Sequence, residues 1–235
     1  GGLEKRSRVM NPAEKETVAY HEAGHALVAE FRLHADHVSK ISIIPRGIGA
    51  LGFTQQLPTE DRYLLKRSEL FDRLDVLLGG RVAEELVYGD ISTGAQNDLQ
   101  RATDMARLMI TQYGMSDRLG HVAFDAPRQV FLGVHEAARS GSYSERTAQQ
   151  IDEEIARLVA DAHERVKRTL GEKRATLDSL ARLLLEHEVV ERPMLERLLK
   201  DSGRAESPPT PARAPALAAA SSLGETSEPT FGVRS

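Results

Sequence analysis

His21-Glu22-Ala23-Gly24-His25 is the segment that most constrains what this chain can fold into. On a helix, its two imidazoles stand one turn apart on the same face and can both reach a single Zn2+. Glu22 then lies near the metal's open side, where a carboxylate can take a proton from a water. The chemistry therefore demands a helix, and the flanking residues supply one. Asn11-Pro12-Ala13-Glu14 has the form of a helix start, with an Asn N-cap, Pro at the first helical position and an acid placed to complete a capping box. Val18, Ala19, Ala23, Ala26 and Leu27 recur at helical spacing, so the helix is expected to run from Pro12 to about Phe31. Gly24 alone argues against it. A mid-helix glycine costs roughly 1 kcal/mol against Ala, which implies a packing reason such as a second backbone passing close by.

Composition narrows the metal chemistry. The 235 residues include no cysteine, so disulfides and thiolate zinc sites are excluded and any metal must use His and carboxylate. A net charge of −4 gives no reason to expect nucleic-acid binding. No apolar run approaches the ~20 residues that span a bilayer and no signal peptide begins the chain, so this segment is expected to be soluble, without membrane contact of its own. No G-x-x-x-x-G-K-[ST] loop occurs, so ATP is not bound here through a P-loop. With no Trp and 5% aromatic residues, the core must be aliphatic.

The expected architecture is mainly α, with a small β-hairpin or edge-strand element. Residues 1–10 read as a basic linker from a missing upstream module, 11–202 as the metallopeptidase domain, and 203–235 as a disordered tail rich in Ser, Pro, Ala, Glu and Thr. Residues 38–45 and 50–58 are short β-branched or alternating runs separated by a Gly-containing loop, 46–49, and read as a strand pair. Ser68 is placed to cap a second helix through Leu70, Phe71, Leu74, Leu77 and Leu78, ending near Tyr88-Gly89. A third helix passes Leu99, Ala102, Met105, Ala106 and Met109 and stops by Gly114. Ser142-Tyr143-Ser144-Glu145 resembles a capping box for a long helix reaching Leu170-Gly171, and shorter helices are expected over 173–187 and 192–201.

A catalytic zinc usually takes three protein ligands and leaves a fourth position for water. The residues after His25 lack the spaced third histidine of the extended motif, and Glu30 points around the helix, so the third ligand must come from elsewhere. Asp98, in the first turn of a helix after a Gly-containing loop, is one candidate. Glu84 and Glu85, late in the second helix, are others, able to supply a metal oxygen or to accept from an imidazole N–H. Spacing alone does not choose between Asp98 and Glu84. His135-Glu136 begins a second H-E pair, but Arg139 stands where its second histidine would be. His34, His37, His121, His163 and His187 are isolated and read as structural or solvated.

Several blocks together carry a resemblance. Val18-Ala19-Tyr20-His21-Glu22-Ala23-Gly24-His25-Ala26-Leu27-Val28, Ile41-Ser42-Ile43-Ile44-Pro45-Arg46-Gly47, Leu51-Gly52-Phe53-Thr54, Gly79-Gly80-Arg81-Val82-Ala83-Glu84-Glu85 and Ser92-Thr93-Gly94-Ala95-Gln96-Asn97-Asp98-Leu99 follow one another as in the peptidase domain of the FtsH family, which the chain closely resembles over about residues 3–200. The family consists of membrane-anchored, ATP-dependent AAA+ zinc metalloproteases. The resemblance implies one Zn2+ per chain, held by His21, His25 and Asp98, with Glu22 as the catalytic base and Glu84 orienting a ligand histidine. It further implies an upstream ATPase module that uses ATP, a homo-hexamer, unfolded or membrane-protein substrates, and a place on the cytoplasmic side of the cell membrane. Leu51, Gly52, Phe53 and Thr54 read as an edge strand that an extended substrate peptide could join by main-chain hydrogen bonds. Three readings compete with this one: a helical oligomerisation module with a structural or vestigial metal site, a non-metallic helical scaffold, and a free-standing metallopeptidase. A structural or vestigial site would lose no activity on Glu22→Gln.

Overall fold

The computed structural model describes residues 10–45, 51–57, 64–124 and 143–202. The expectations for residues 1–9, for the 46–49 loop, for Ser142, for His135-Glu136 and for 203–235 lie outside these. The first helix, α1 (Pro12–Phe31), starts as its sequence dictates. Asn11 Oδ1 accepts from the Glu14 N–H at 2.8 Å, and a Glu14 carboxylate oxygen accepts from the Asn11 N–H at 3.3 Å, closing the capping box. Residues 21–30 of α1 are all buried, so α1 is the central rod of the domain rather than a surface helix. It packs on α2 (Arg67–Tyr88), on α5 (Arg174–His187) and on the sheet.

Small residues set the α1–α2 distance. A Cβ on Gly24 would overlap the Gly79 carbonyl oxygen, and one on Gly79 would stand 2.8 Å from the Gly24 oxygen and 2.9 Å from the His25 Cα. The two backbones are in direct contact, the packing reason that a glycine inside α1 implied. Gly79→Ala should therefore destabilise the fold by about 1–3 kcal/mol, because a rigid backbone must move to admit one methyl. Gly171→Ala is the control. No atom lies within 4 Å of that Cβ, so the substitution should raise the melting temperature slightly by helix propensity alone. Thermal unfolding of both variants tests this; equal melting temperatures would refute the tight crossing.

Among the described residues the sheet has three strands rather than a single pair. β1 (Val38–Ser42) pairs antiparallel with β2 (Phe53–Gln56) on one side and with β3 (Val189–Glu191) on the other, giving the order β2-β1-β3 and leaving β2 at an edge. β3 escapes a sequence reading because three residues between two helices carry no periodicity. α2 begins at Arg67, one residue before the expected cap. Glu69 reaches back to accept from the Lys66 N–H at 2.5 Å, so Ser68 falls inside the first turn. α2 ends at Gly89, whose φ of 63° is the left-handed conformation a glycine adopts without strain.

A short 3-10 turn (Thr93–Ala95) leads into α3 (Gln96–Thr111), which stops three residues before Gly114. The long α4 (Glu145–Glu172) is capped by the Ser144 hydroxyl, which accepts from the Thr147 N–H at 3.2 Å. It buries Ile151, Ile155, Leu158, Ala162, Val166 and Leu170 along one face. The last helix among the described residues is α6 (Arg192–Asp201). The core is aliphatic throughout, built on Leu27, Ile41, Leu74, Leu78, Leu177, Leu180 and Leu184. Among the described residues, no helix is long and apolar enough to cross a membrane.

Candidate metal centre

His21 and His25 are buried in the middle of α1, each oriented by a hydrogen bond at Nδ1. His25 Nδ1 lies 2.7 Å from the Val76 carbonyl oxygen of α2, and because a carbonyl only accepts, that nitrogen carries the proton. His21 Nδ1 lies 2.7 Å from Glu84 Oε1 and donates to it. Neutral rings in these tautomers present bare lone pairs at both Nε2 atoms, yet the two face each other at 3.0 Å. Asp98 Oδ2, from the first turn of α3, stands 3.4 Å from each of them.

Three potential ligand atoms thus converge, and when both rings are neutral no proton stands between them. Tetrahedral ligands at about 2.0–2.2 Å from a zinc ion lie roughly 3.3–3.6 Å apart, close to the dimensions of this triangle. Among the described residues, this is the one group of three His, Asp or Glu ligand atoms lying within 4.8 Å of one another. The donor set and its size fit a single divalent cation.

The electrostatics point the same way. Burial depresses the His21 pKa, but its hydrogen bonds to Asp98 and Glu84 and the charge of Glu22 outweigh that and hold it up at about 9. Burial pushes the Asp98 carboxyl up, and the hydrogen bonds and charges of His21 and His25 more than reverse this, leaving it well below the usual carboxylate range. The pocket carries three carboxylates around two imidazoles and draws in positive charge, which a dication supplies without protonating either ring.

Glu84, only 2% exposed, is held from both sides. Its Oε2 accepts from the Ser92 N–H at 2.8 Å, and Arg81 Nη1 donates to the Ser92 carbonyl oxygen at 2.9 Å, pinning the turn ahead of α3. Burial alone would raise the Glu84 pKa, but the bonds from His21 and Ser92 lower it, so the group is an anion ready to accept. Gly80 completes the arrangement. A Cβ there would stand 2.5 Å from His21 Cε1 and Nε2, so only a glycine leaves room for the ring.

Glu22 lies beside the histidines, 7% exposed, with its Oε2 accepting from the Thr54 hydroxyl at 2.7 Å. Thr54 belongs to β2, and Gly52 and the exposed Leu51 immediately precede that strand; Phe53 opens it, half-buried. The other candidates are not gathered here. Glu85 bonds instead to His163 and Lys167 on α4. His34 pairs with Asp72, and His37 lies 3.5 Å from Glu30. Sequence reasoning missed Val76, Ser92 and the contact between Thr54 and Glu22. Only Ser92 left a trace, a short polar residue two before a glycine, whose Oγ accepts from the Gly94 N–H at 3.1 Å.

The model of peptidase family M41 matches residues 8–198. The chain belongs to this family. Among its relatives, an ATP-dependent zinc metalloprotease FtsH of Ralstonia pickettii is 63% identical over 213 residues, covering 90% of this chain and 30% of that protein. A protein of the same name from Syntrophobacter fumaroxidans is 59% identical over 202 residues, covering 86% of this chain and 31% of the relative. One from Thermotoga maritima is 47% identical over 201 residues, covering 85% and 33% respectively. This M41 chain spans about a third of the length of the curated relatives it matches.

Proposed function

We propose that this chain is the zinc endopeptidase module of an ATP-dependent protease, with His21, His25 and Asp98 as the metal ligands and Glu22 as the catalytic base. The observation that carries the reading is the convergence of two imidazole Nε2 atoms and one carboxylate oxygen beside a second, separately held carboxylate. Membership of a peptidase family and relatives named as zinc metalloproteases support it.

When bound, a zinc ion would supply Lewis-acid polarisation of a water and of the scissile carbonyl. The chain's own residues do the rest. Glu84 and the Val76 carbonyl hold both imidazoles in the Nδ1–H form, so that each Nε2 is free to ligate. Glu22 takes a proton from the attacking water and delivers it to the departing amine nitrogen. β2, the outer strand of the sheet among the described residues and running past Glu22, accepts an extended peptide by main-chain hydrogen bonds, with little demand on its sequence. Such recognition suits unfolded polypeptides. In the full-length protein, the module works beside an ATPase module of the same chain, anchored at the cytoplasmic side of the cell membrane and assembled as a homo-hexamer. The relatives' greater length and ATP-dependent naming support the ATPase part of this reading.

Elemental mass spectrometry of the purified chain should find about one zinc. Stripping that zinc with a chelator should abolish cleavage of an unfolded protein, and stoichiometric zinc should restore it. A chain that takes up no zinc even after supplementation would overturn the reading and leave a helical oligomerisation module.

A further inference from the structure

Glu22 is clamped by the strand beside it, and the clamp has two parts. Thr54 Oγ1, on β2, donates to Glu22 Oε2 at 2.7 Å and also lies 3.2 Å from the Glu22 main-chain oxygen, so one hydroxyl spans the backbone and the carboxylate of the same residue. Gly52 makes the approach possible. A Cβ on it would stand 2.7 Å from Glu22 Oε1 and 2.8 Å from Glu22 Cγ, with the Ser42 carbonyl oxygen at 2.9 Å behind. The Gly52 backbone walls the Oε1 side and the Thr54 hydroxyl fastens the Oε2 side. A glutamate with three rotatable bonds is thereby restricted to a narrow range of positions beside the metal ligands.

We propose that Thr54, with Gly52, is a positioning element for the Glu22 base, so that the edge strand offered to the substrate also aims the proton acceptor. The inference rests on the peptidase reading and deepens it. Among the described strands β2 pairs with β1, with Thr54 opposite Ile41 and Phe53 opposite Ser42. A peptide pairing along its outer edge stiffens the same strand that carries the Thr54 hydroxyl. Occupancy of the edge is thus transmitted to Glu22 through one hydrogen bond. An extended substrate backbone matters for turnover as well as for binding. Thr54 touches no reacting atom, and its effect passes through Glu22.

The test is Thr54→Val, which keeps shape and β-propensity but removes the hydroxyl, beside Thr54→Ser, which keeps it. On a quenched-fluorescence peptide, the zinc-loaded Val variant should lose roughly 10- to 100-fold in kcat, with KM within about twofold of the parent and zinc content unchanged, the scale expected when a reacting group is misplaced. Thr54→Ser should recover most of that loss. A residue that only built the strand would raise KM and leave kcat alone, and that outcome would overturn the proposal.

A second measurement needs no activity. In the metal-free chain, Thr54→Val should lower the melting temperature by about 2–4 °C in the parent, the shift expected from roughly 1 kcal/mol in a domain of this size, and by much less in Glu22→Ala. Equal shifts in the two backgrounds would show no coupling and would also overturn the proposal. A parent chain that neither binds zinc nor cleaves would sink the peptidase reading, while the melting cycle still decides whether Thr54 holds Glu22.

Discussion

Glu22→Gln is expected to lower kcat/KM for peptide cleavage by about 10²–10⁴-fold while zinc content stays at about one per chain, the range typical of removing a positioned general base. The substitution is nearly isosteric. A glutamine carbonyl can still accept from the Thr54 hydroxyl, now 2.7 Å from Glu22 Oε2, so the side chain stays in place. None of the proposed metal-binding atoms is touched, since His21, His25 and Asp98 remain as they are. What disappears is the capacity to take a proton and return it to the leaving amine. Steady-state cleavage with zinc measured in the same preparation makes the comparison. Activity within tenfold of the parent would remove Glu22 from the mechanism, whatever the metal did.

Asp98→Ala should take zinc from about one per chain to near none. The carboxylate is one corner of the triangle, and two imidazoles alone offer a metal far weaker purchase. Its loss also strips His21 of a hydrogen-bond partner that helps hold that ring near a pKa of 9, so the pocket's pull on positive charge falls as well. Glu84→Gln is the instructive contrast. Glu84 bonds His21 at Nδ1, away from the triangle, and losing such an outer partner typically costs about 10- to 100-fold in metal affinity rather than the site itself. Competition against a fluorescent chelator should therefore rank the parent above Glu84→Gln and both far above Asp98→Ala. An Asp98→Ala chain that keeps its zinc while Glu84→Ala loses it would exchange the two assignments.

How legible the molecule was depends on the distance over which each feature is encoded. The start and length of α1 were readable because its cap, its proline and its apolar spacing all lie within twenty-odd residues of one another. Gly24 was readable as a sign of close packing, but its partner, Gly79, was not, since no local pattern says which backbone will cross. The same limit left Asp98 and Glu84 undecided from spacing. Each sits on a different helix from the histidines, and only the blocks shared with the FtsH family separated them. Thr54 was read as strand, which it is, yet its hydroxyl's bond to Glu22 depends on how β2 lies against α1. β3 was too short to announce itself, and Ser68 lost the capping position to a glutamate reaching back one turn.

The order in which these parts leave the ribosome follows from where they sit. His21 and His25 emerge first, then β1, β2 and the whole of α2, and only afterwards Asp98 at the head of α3. During synthesis the two imidazoles must therefore wait as an incomplete pair. What can hold them in register meanwhile is the Gly24–Gly79 crossing, available as soon as α2 has formed, together with the Val76 carbonyl and Glu84 that the same helix carries. If Asp98 is the third ligand, as proposed, a nascent chain arrested before α3 would carry both histidines and the residues that bond their Nδ1 atoms and still be unable to retain the ion.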